Sequence, residues 1–228
     1  MDLRANLDAI RQRIAATCQD CGRDPATVRL VAVSKLQPAT AVSAAAAAGQ
    51  QVFGENYVQE LLTKQEQVSA RVEWHFIGAL QSNKVKYLQG KVGLIHSVDR
   101  FSLAQEISRQ WGKAGDVADI LIEVHLGAET SKAGVAVAEL ETLVRQIALL
   151  PHLRIRGLMA LPPYCEDAED VRPYFRQLRQ LAQKLQELQL PGVSMEELSM
   201  GMSHDFTVAI EEGATLVRVG TAIFGARA

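Results

Sequence analysis

Lys35 ends the run VRLVAVSK, where a near-continuous, valine-rich apolar segment gives way to a loop bounded by Pro38. Such a segment reads as a strand buried on both faces, which puts the amine at the strand's C-terminal end. An ammonium group there is costly unless it is paired, neutral or covalently used. A lone lysine in that place suggests an amine that condenses with a carbonyl. Far along the chain, ELSMGMSHDF and ATLVRVGTAIFG join short apolar runs to Gly, Ser and Thr. Glycine lets backbone N–H groups approach an anion, and a hydroxyl adds a donor. A helix start would add its positive end. Ser203, Gly220 and Thr221 therefore form a candidate phosphate cradle, although ordinary loop and capping chemistry accounts for the same residues. Arg218 sits inside LVRVG and by alternation shares a face with Leu216 and Gly220. A buried arginine needs partners, either a carboxylate or a ligand heteroatom. One cofactor suits amine, cradle and fixed cation together: pyridoxal phosphate, with its aldehyde, phosphate and ring nitrogen.

These residues must be positioned by elements, and the pattern of elements is regular. Short apolar runs at 28–33, 51–53, 74–77, 93–97, 119–125, 153–159, 197–200 and 215–219 alternate with amphipathic stretches at 38–48, 58–68, 83–89, 100–113, 135–148, 168–189 and 205–211. A further helix is expected at 3–17. Alternation of this kind predicts a parallel sheet with right-handed crossovers. Eight units within 228 residues favour an α/β fold closed as a single (β/α)8 TIM barrel with an extra N-terminal helix, over 1–228 as one domain. An open doubly wound sheet is the alternative, because the second and seventh runs are weak. Strand C-terminal ends are where such folds place chemistry, and phosphate sites commonly follow strands seven and eight.

Composition excludes several classes. The net charge is −2, so no broad basic field for nucleic acid is present. No apolar run approaches the ~20 residues that span a bilayer. The N-terminal stretch carries Asp2 and Asp8 and lacks the apolar block of a secretory signal. Three cysteines leave one over, which points to a reducing, cytoplasmic setting. Cys18 and Cys21 form a CxxC without further ligands nearby, so zinc has no support. The histidines show no metal spacing. His75 reads as a barrel-interior or hydrogen-bonding residue, and His204 as a helix-start surface residue beside Ser203. The loop from Gly127 to Gly134 lacks nucleotide-loop order, and Lys132 is at most a rim charge.

The segments LVAVSK, FGENYVQE, WHFIGALQSNK, IHSVD, GLMALPP, LSMGMSHDF and RVGTAIFG, in that order from Leu30 to Gly225, resemble the pyridoxal phosphate homeostasis family, small proteins related to the N-terminal barrel of alanine racemase. Ala79 departs, standing where many relatives carry His or Pro. The resemblance implies that Lys35 holds pyridoxal 5'-phosphate as an internal aldimine. It implies that Ser203, Gly220 and Thr221 bind the phosphate and that Arg218 faces the ring nitrogen. Asn56 and Met200 would line the ring pocket. The implied role is storage, buffering or delivery of the cofactor, with little turnover and so no enzyme in the usual sense. Apoenzymes that use the cofactor are the implied partners, and a monomer the implied state. The alternative is an amino-acid racemase acting at the same Lys35. Racemisation needs a base on each face of the substrate carbon, and Tyr57, Tyr87, Tyr164 and Tyr174 fall in loops or helices without an evident second-base context. The expectation is also that the racemase's further β domain is missing here.

Overall fold

The computed structural model describes residues 2–127 and 133–225. Lys132 lies outside the described residues. Helix α1 (Leu3–Asp20) starts because the Asp2 carboxylate accepts from the amides of Arg4 and Ala5, and its buried residues Leu7, Ile10, Ile14 and Cys18 recur at helical spacing. Then follow β1 (Arg29–Val33), α2 (Ala39–Ala47), β2 (Val52–Glu55), α3 (Val58–Gln67), β3 (Glu73–Phe76), β4 (Leu94–Val98), α4 (Phe101–Lys113) and β5 (Ala118–His125). The second half comprises β6 (Val135–Ala136), α5 (Val137–Ile147), β7 (Leu153–Ala160), α6 (Arg172–Glu187), β8 (Val193–Ser199), α7 (Phe206–Glu211), β9 (Leu216–Val219) and α8 (Thr221–Phe224).

The strands run in the order β4-β3-β2-β1-β9-β8-β7-β5, and a further β4–β5 pairing closes the ring. Every described pairing is parallel. The closed barrel with eight staves is the expected one, and the open sheet is set aside. The two-residue β6 is additional: Val135 and Ala136 pair beside Val124 and His125, so the helix expected from 135 begins at Val137. The helix expected at 83–89 is a 3-10 turn, Ser82–Tyr87. The weak seventh run proves to be a longer strand, Val193–Ser199, whose register against β7 shifts between Ile155 and Gly157. A Cβ at Gly157 would lie 1.8 Å from the Glu197 carbonyl, so only glycine fits this shift.

Two apolar layers follow from strand alternation. The larger lies between strands and helices and includes Phe53, Phe76, Ile120, Phe175 and Phe206. The smaller fills the barrel interior with Val31, Val52, Leu94, Leu121, Met159 and Leu216, each from a different strand. α1 closes one side of the ring. Asn6 donates to the Ile223 carbonyl at 2.9 Å, and Arg23 donates to the carbonyls of Ile210 and Ala214. The extra helix thereby braces the segments around β9, where the candidate cradle begins.

Leu121 has no exposure inside a ring that cannot easily collapse. Leu121→Ala is expected to remove about 2–5 kcal/mol of stability, read as a lowered urea midpoint. An unchanged midpoint would contradict a closely packed interior.

Candidate functional site

Lys35 occupies the turn that leaves β1, half-buried, at the C-terminal end of the barrel. Its two neighbours are tied down by a buried polar cluster. The Lys64 ammonium donates to the Ser34 carbonyl at 2.6 Å and to Glu55 and Glu60 at 2.7 Å each. The Ser34 hydroxyl donates to Glu55 at 2.6 Å, and the Leu36 amide donates to Glu60. Leu36 adopts φ 61°, a left-handed conformation that costs a side-chain-bearing residue about 1–2 kcal/mol. Glu60 and Lys64 hold the turn in that shape, which fixes the backbone on both sides of Lys35. Burial pushes the Glu55 carboxyl above its ordinary range, although Lys64 and Ser34 oppose it.

β1 pairs with β9 on one side, with Ala32 opposite Val219, and with β2 on the other, with Val33 opposite Gly54. The next residues on these neighbouring strands are therefore brought around Lys35. On the β9 side, Gly220 lies so close that a Cβ there would be 3.2 Å from the Val33 carbonyl. On the β2 side stands Asn56, whose Oδ1 is buried without a partner among the described residues. An orphaned buried oxygen is the mark of a position awaiting a donor. The Nε2 of His125, at the end of β5, is buried and unpartnered in the same way.

The cradle residues converge. The Gly220 amide donates to the Ser203 hydroxyl at 3.4 Å, and the Thr221 hydroxyl donates to it at 3.3 Å. These are long contacts, so little of the donors' capacity is spent on each other. The loop carrying Ser203 is held by the Met202 amide donating to Asp205 at 2.6 Å and by the Arg218 amide donating to the Gly201 carbonyl at 3.0 Å. The expected helix start after Gly220 is a single turn, so a helix dipole adds little there. Met200 is completely buried in the larger apolar layer. Its side chain packs within that layer.

Arg218 points into the barrel, as alternation requires, and is 4% exposed. Its guanidinium donates to the Ser199 hydroxyl and, at 2.9 Å, to the Ala160 carbonyl. Burial pushes it down to about 10, with Glu123 and Asp205 opposing. Glu123, also buried, is pushed up to about 7 by burial, with Asp99 adding to the rise and Arg218 opposing it. Sequence reading missed Glu123 and the Lys64 cluster. Alternation along ADILIEVH puts Glu123 on the inward face with Leu121 and was the available signal.

The other candidates lie apart. His204 is exposed, with its Nε2 3.0 Å from the Glu166 carbonyl and its ring 5.6 Å from that of Tyr164. Cys18 is buried and Cys21 exposed at the end of α1, and both are free thiols. Among the described residues no group of three His, Cys, Asp or Glu could hold a metal ion, and no helix is long and apolar enough to cross a membrane.

Comparison with known proteins agrees with this fold. The family model for the alanine racemase N-terminal domain matches residues 5–228, and the chain belongs to that family. A relative from Aquifex aeolicus (strain VF5) named pyridoxal phosphate homeostasis protein is 48% identical, covering 100% of this chain and 99% of the relative. An Escherichia coli (strain K12) protein of the same name is 43% identical over 99% of this chain and 97% of its own. The solved structure of PipY from Synechococcus elongatus PCC7942, with PLP bound, superimposes with a TM-score of 0.87 at 38% identity, covering 98% of this chain and 100% of that one. An alanine racemase from Clostridium difficile 630 shares the fold alone, with a TM-score of 0.77 at 14% identity over 99% of this chain and 56% of its own.

The Glu123 environment sets a pH dependence. Its folded value near 7 exceeds the ordinary unfolded value of about 4.3. The stabilising contribution of the neutral acid is therefore complete below about pH 4 and lost as pH rises through about 7. Glu123→Gln should flatten the fall in urea-unfolding free energy between about pH 4 and 8 by about 3 kcal/mol. Parallel profiles for the two proteins would show that this carboxyl does not titrate late.

Proposed function

We propose that this member of the alanine racemase N-terminal domain family holds pyridoxal 5'-phosphate at the C-terminal mouth of its barrel and serves homeostasis of that cofactor by storing, buffering or delivering it. The carrying observation is the adjacency of β1 and β9, which sets the turn of Lys35 beside Gly220 and Thr221. The PipY structure, with PLP bound, and the relatives named for pyridoxal phosphate homeostasis support the reading.

The residues present fit the group. The Lys35 amine would bond the aldehyde carbon with loss of water. Ser203, Gly220 and Thr221 would donate to the phosphate, and Arg218 would face the ring nitrogen. The orphaned Asn56 Oδ1 would accept from a donor at the ring's edge, and Met200 would back the pocket wall. When bound, the cofactor supplies an electrophilic carbon and an electron-withdrawing ring. Arg218 restrains that chemistry. A guanidinium only donates, so it favours a ring nitrogen without a proton, and an unprotonated pyridine is the poorer electron sink. The runner-up, racemisation at the same lysine, needs a second acid–base group over the site. Tyr57 and Tyr164 stand nearest the mouth in sequence position, but they are 56% and 76% exposed and so solvated. On this reading the protein turns over little or not at all. We take 1–228 as one cofactor-binding barrel, monomeric and cytoplasmic. Apoenzymes are its recipients, and nucleic acid and membranes play no part.

Borohydride treatment of the protein incubated with pyridoxal phosphate should bleach the visible band and leave a reduced adduct on Lys35 by peptide mass mapping. Lys35→Ala should lose the band while keeping weaker, phosphate-anchored binding. An adduct elsewhere, or equal affinity in the variant, would contradict the covalent role. L-alanine incubated with the loaded protein in heavy water should exchange its α-hydrogen slowly or not at all. Fast exchange with racemisation would establish the enzyme reading instead.

A further inference from the structure

A column of buried polar side chains crosses the barrel from its N-terminal mouth to Arg218. Glu73 opens β3 at that mouth, half-exposed and 3.5 Å from Arg29. The His75 Nε2 lies 2.7 Å from the Glu73 carboxylate, and its Nδ1 lies 2.9 Å from the His96 Nε2. The His96 Nδ1 lies 2.9 Å from the Ser199 hydroxyl, which accepts from the Arg218 guanidinium. His75, His96 and Ser199 have no exposure. Four consecutive hydrogen bonds thus join four strands.

Burial keeps both rings neutral, and the Glu73 end then fixes the direction of the whole chain. A guanidinium can only donate, and an ionised carboxylate can only accept. Arg218 therefore donates to Ser199, Ser199 to the His96 Nδ1, the His96 Nε2 to the His75 Nδ1, and the His75 Nε2 to Glu73. Both rings are neutral and carry hydrogen on Nε2. A proton added to His75 would set two N–H groups head to head, or drive the His96 hydrogen onto Nδ1 and take away the acceptor of the Ser199 hydrogen. A proton added to His96 would deprive the Ser199 hydrogen of its acceptor. Buried polar groups left unpaired in this way are costly.

We propose that His75, His96 and Ser199 are positioning residues for Arg218: they form a one-way relay that holds the guanidinium as a fixed donor toward the cofactor's ring nitrogen and ties that end of the barrel to the charge of Glu73 at the opposite mouth. The inference rests on the reading that Arg218 faces that nitrogen. Burial pushes both histidines below their ordinary range, in keeping with two neutral rings. The charges that face the relay come from every neighbouring side. Arg29 and Glu197 act on His75, and Arg29 and Arg218 on His96, with Glu73 on the same strand as His75. Asp119 and Arg156 complete the polar cavity of about 280 Å³ at the Glu73 end. Glu123 and Asp205 face Arg218.

Two measurements test the relay. In protein labelled with nitrogen-15 at histidine, both buried rings should show the Nε2–H tautomer at neutral pH, with and without cofactor. A protonated ring, or hydrogen on Nδ1, would overturn the donor-to-acceptor direction of the column. With ring-labelled pyridoxal phosphate bound, Arg218→Gln should move the ring-nitrogen resonance toward its protonated position. His96→Leu and the milder, distant Glu73→Gln should move it in the same sense by less. No response to Arg218→Gln would overturn the placement of that residue and the relay with it. A response to Arg218→Gln alone, with the other variants folded and loaded but unmoved, would leave the placement standing and overturn the relay. A lower urea midpoint in those variants without any movement of the resonance would mark a purely structural column and overturn the relay as well.

Discussion

A guanidinium enclosed by a barrel needs acceptors for its hydrogens, and part of the interior is arranged around that demand. Arg218 is pushed down to about 10 by burial yet remains a cation at neutral pH. It finds the Ala160 carbonyl on one side and Ser199 on the other. Ser199 in turn needs His96, His96 needs His75, and His75 needs Glu73. A purely apolar filling of the ring would leave the cation unsatisfied at a cost no surrounding contact could offset. The interior is accordingly split. Leu94, Leu121, Leu216 and their neighbours fill the volume, and the polar column threads between them.

The site end of the barrel uses a different device. Strain in the Leu36 turn is held in place by Glu60 and Lys64, whose hydrogen bonds reach the backbone on either side of Lys35. A reactive amine on a free loop would lose rotational freedom on forming a bond. An amine on a pinned turn has already lost part of it. The cost is a buried ion pair, with Glu55 fully enclosed and Lys64 nearly so. That arrangement favours geometry over stability, because well-packed apolar residues of similar volume are often as stable as such a pair.

Much of this was legible in the chain itself. The alternation of apolar runs with amphipathic stretches gave eight staves and a closed ring, and the lysine at the end of VRLVAVSK landed at the expected mouth. Inward projection of Arg218 followed from simple alternation. What stayed hidden depended on closure. His75 and His96 are 21 residues apart, and His96 and Ser199 103 apart, so no local spacing could announce their contact. Lys64 could not be singled out, because nothing in VQELLTKQEQ says which face meets the β1 turn. The single-turn α8 and the two-residue β6 fell below the length at which periodicity carries a signal. Resemblance to the family supplied Asn56, and the structure adds the reason for its place: Gly78 lets the next strand's loop pass so near that a Cβ would sit 2.4 Å from the Asn56 carbonyl.

The two poles of the barrel differ in kind. One mouth is ringed by Arg29, Glu73, Asp119, Arg156 and Glu197, while the turns at the other expose Leu36, Tyr57, Leu161, Tyr164 and Met202. Exposed apolar side chains are nevertheless found at both, because Val117 and Leu149 lie in the loops that enter β5 and β7 at the charged mouth. A hydrophobic resin would therefore find apolar footholds at either pole. Immobilisation by simple adsorption will leave the Lys35 mouth in mixed orientations, some open to solvent and some covered.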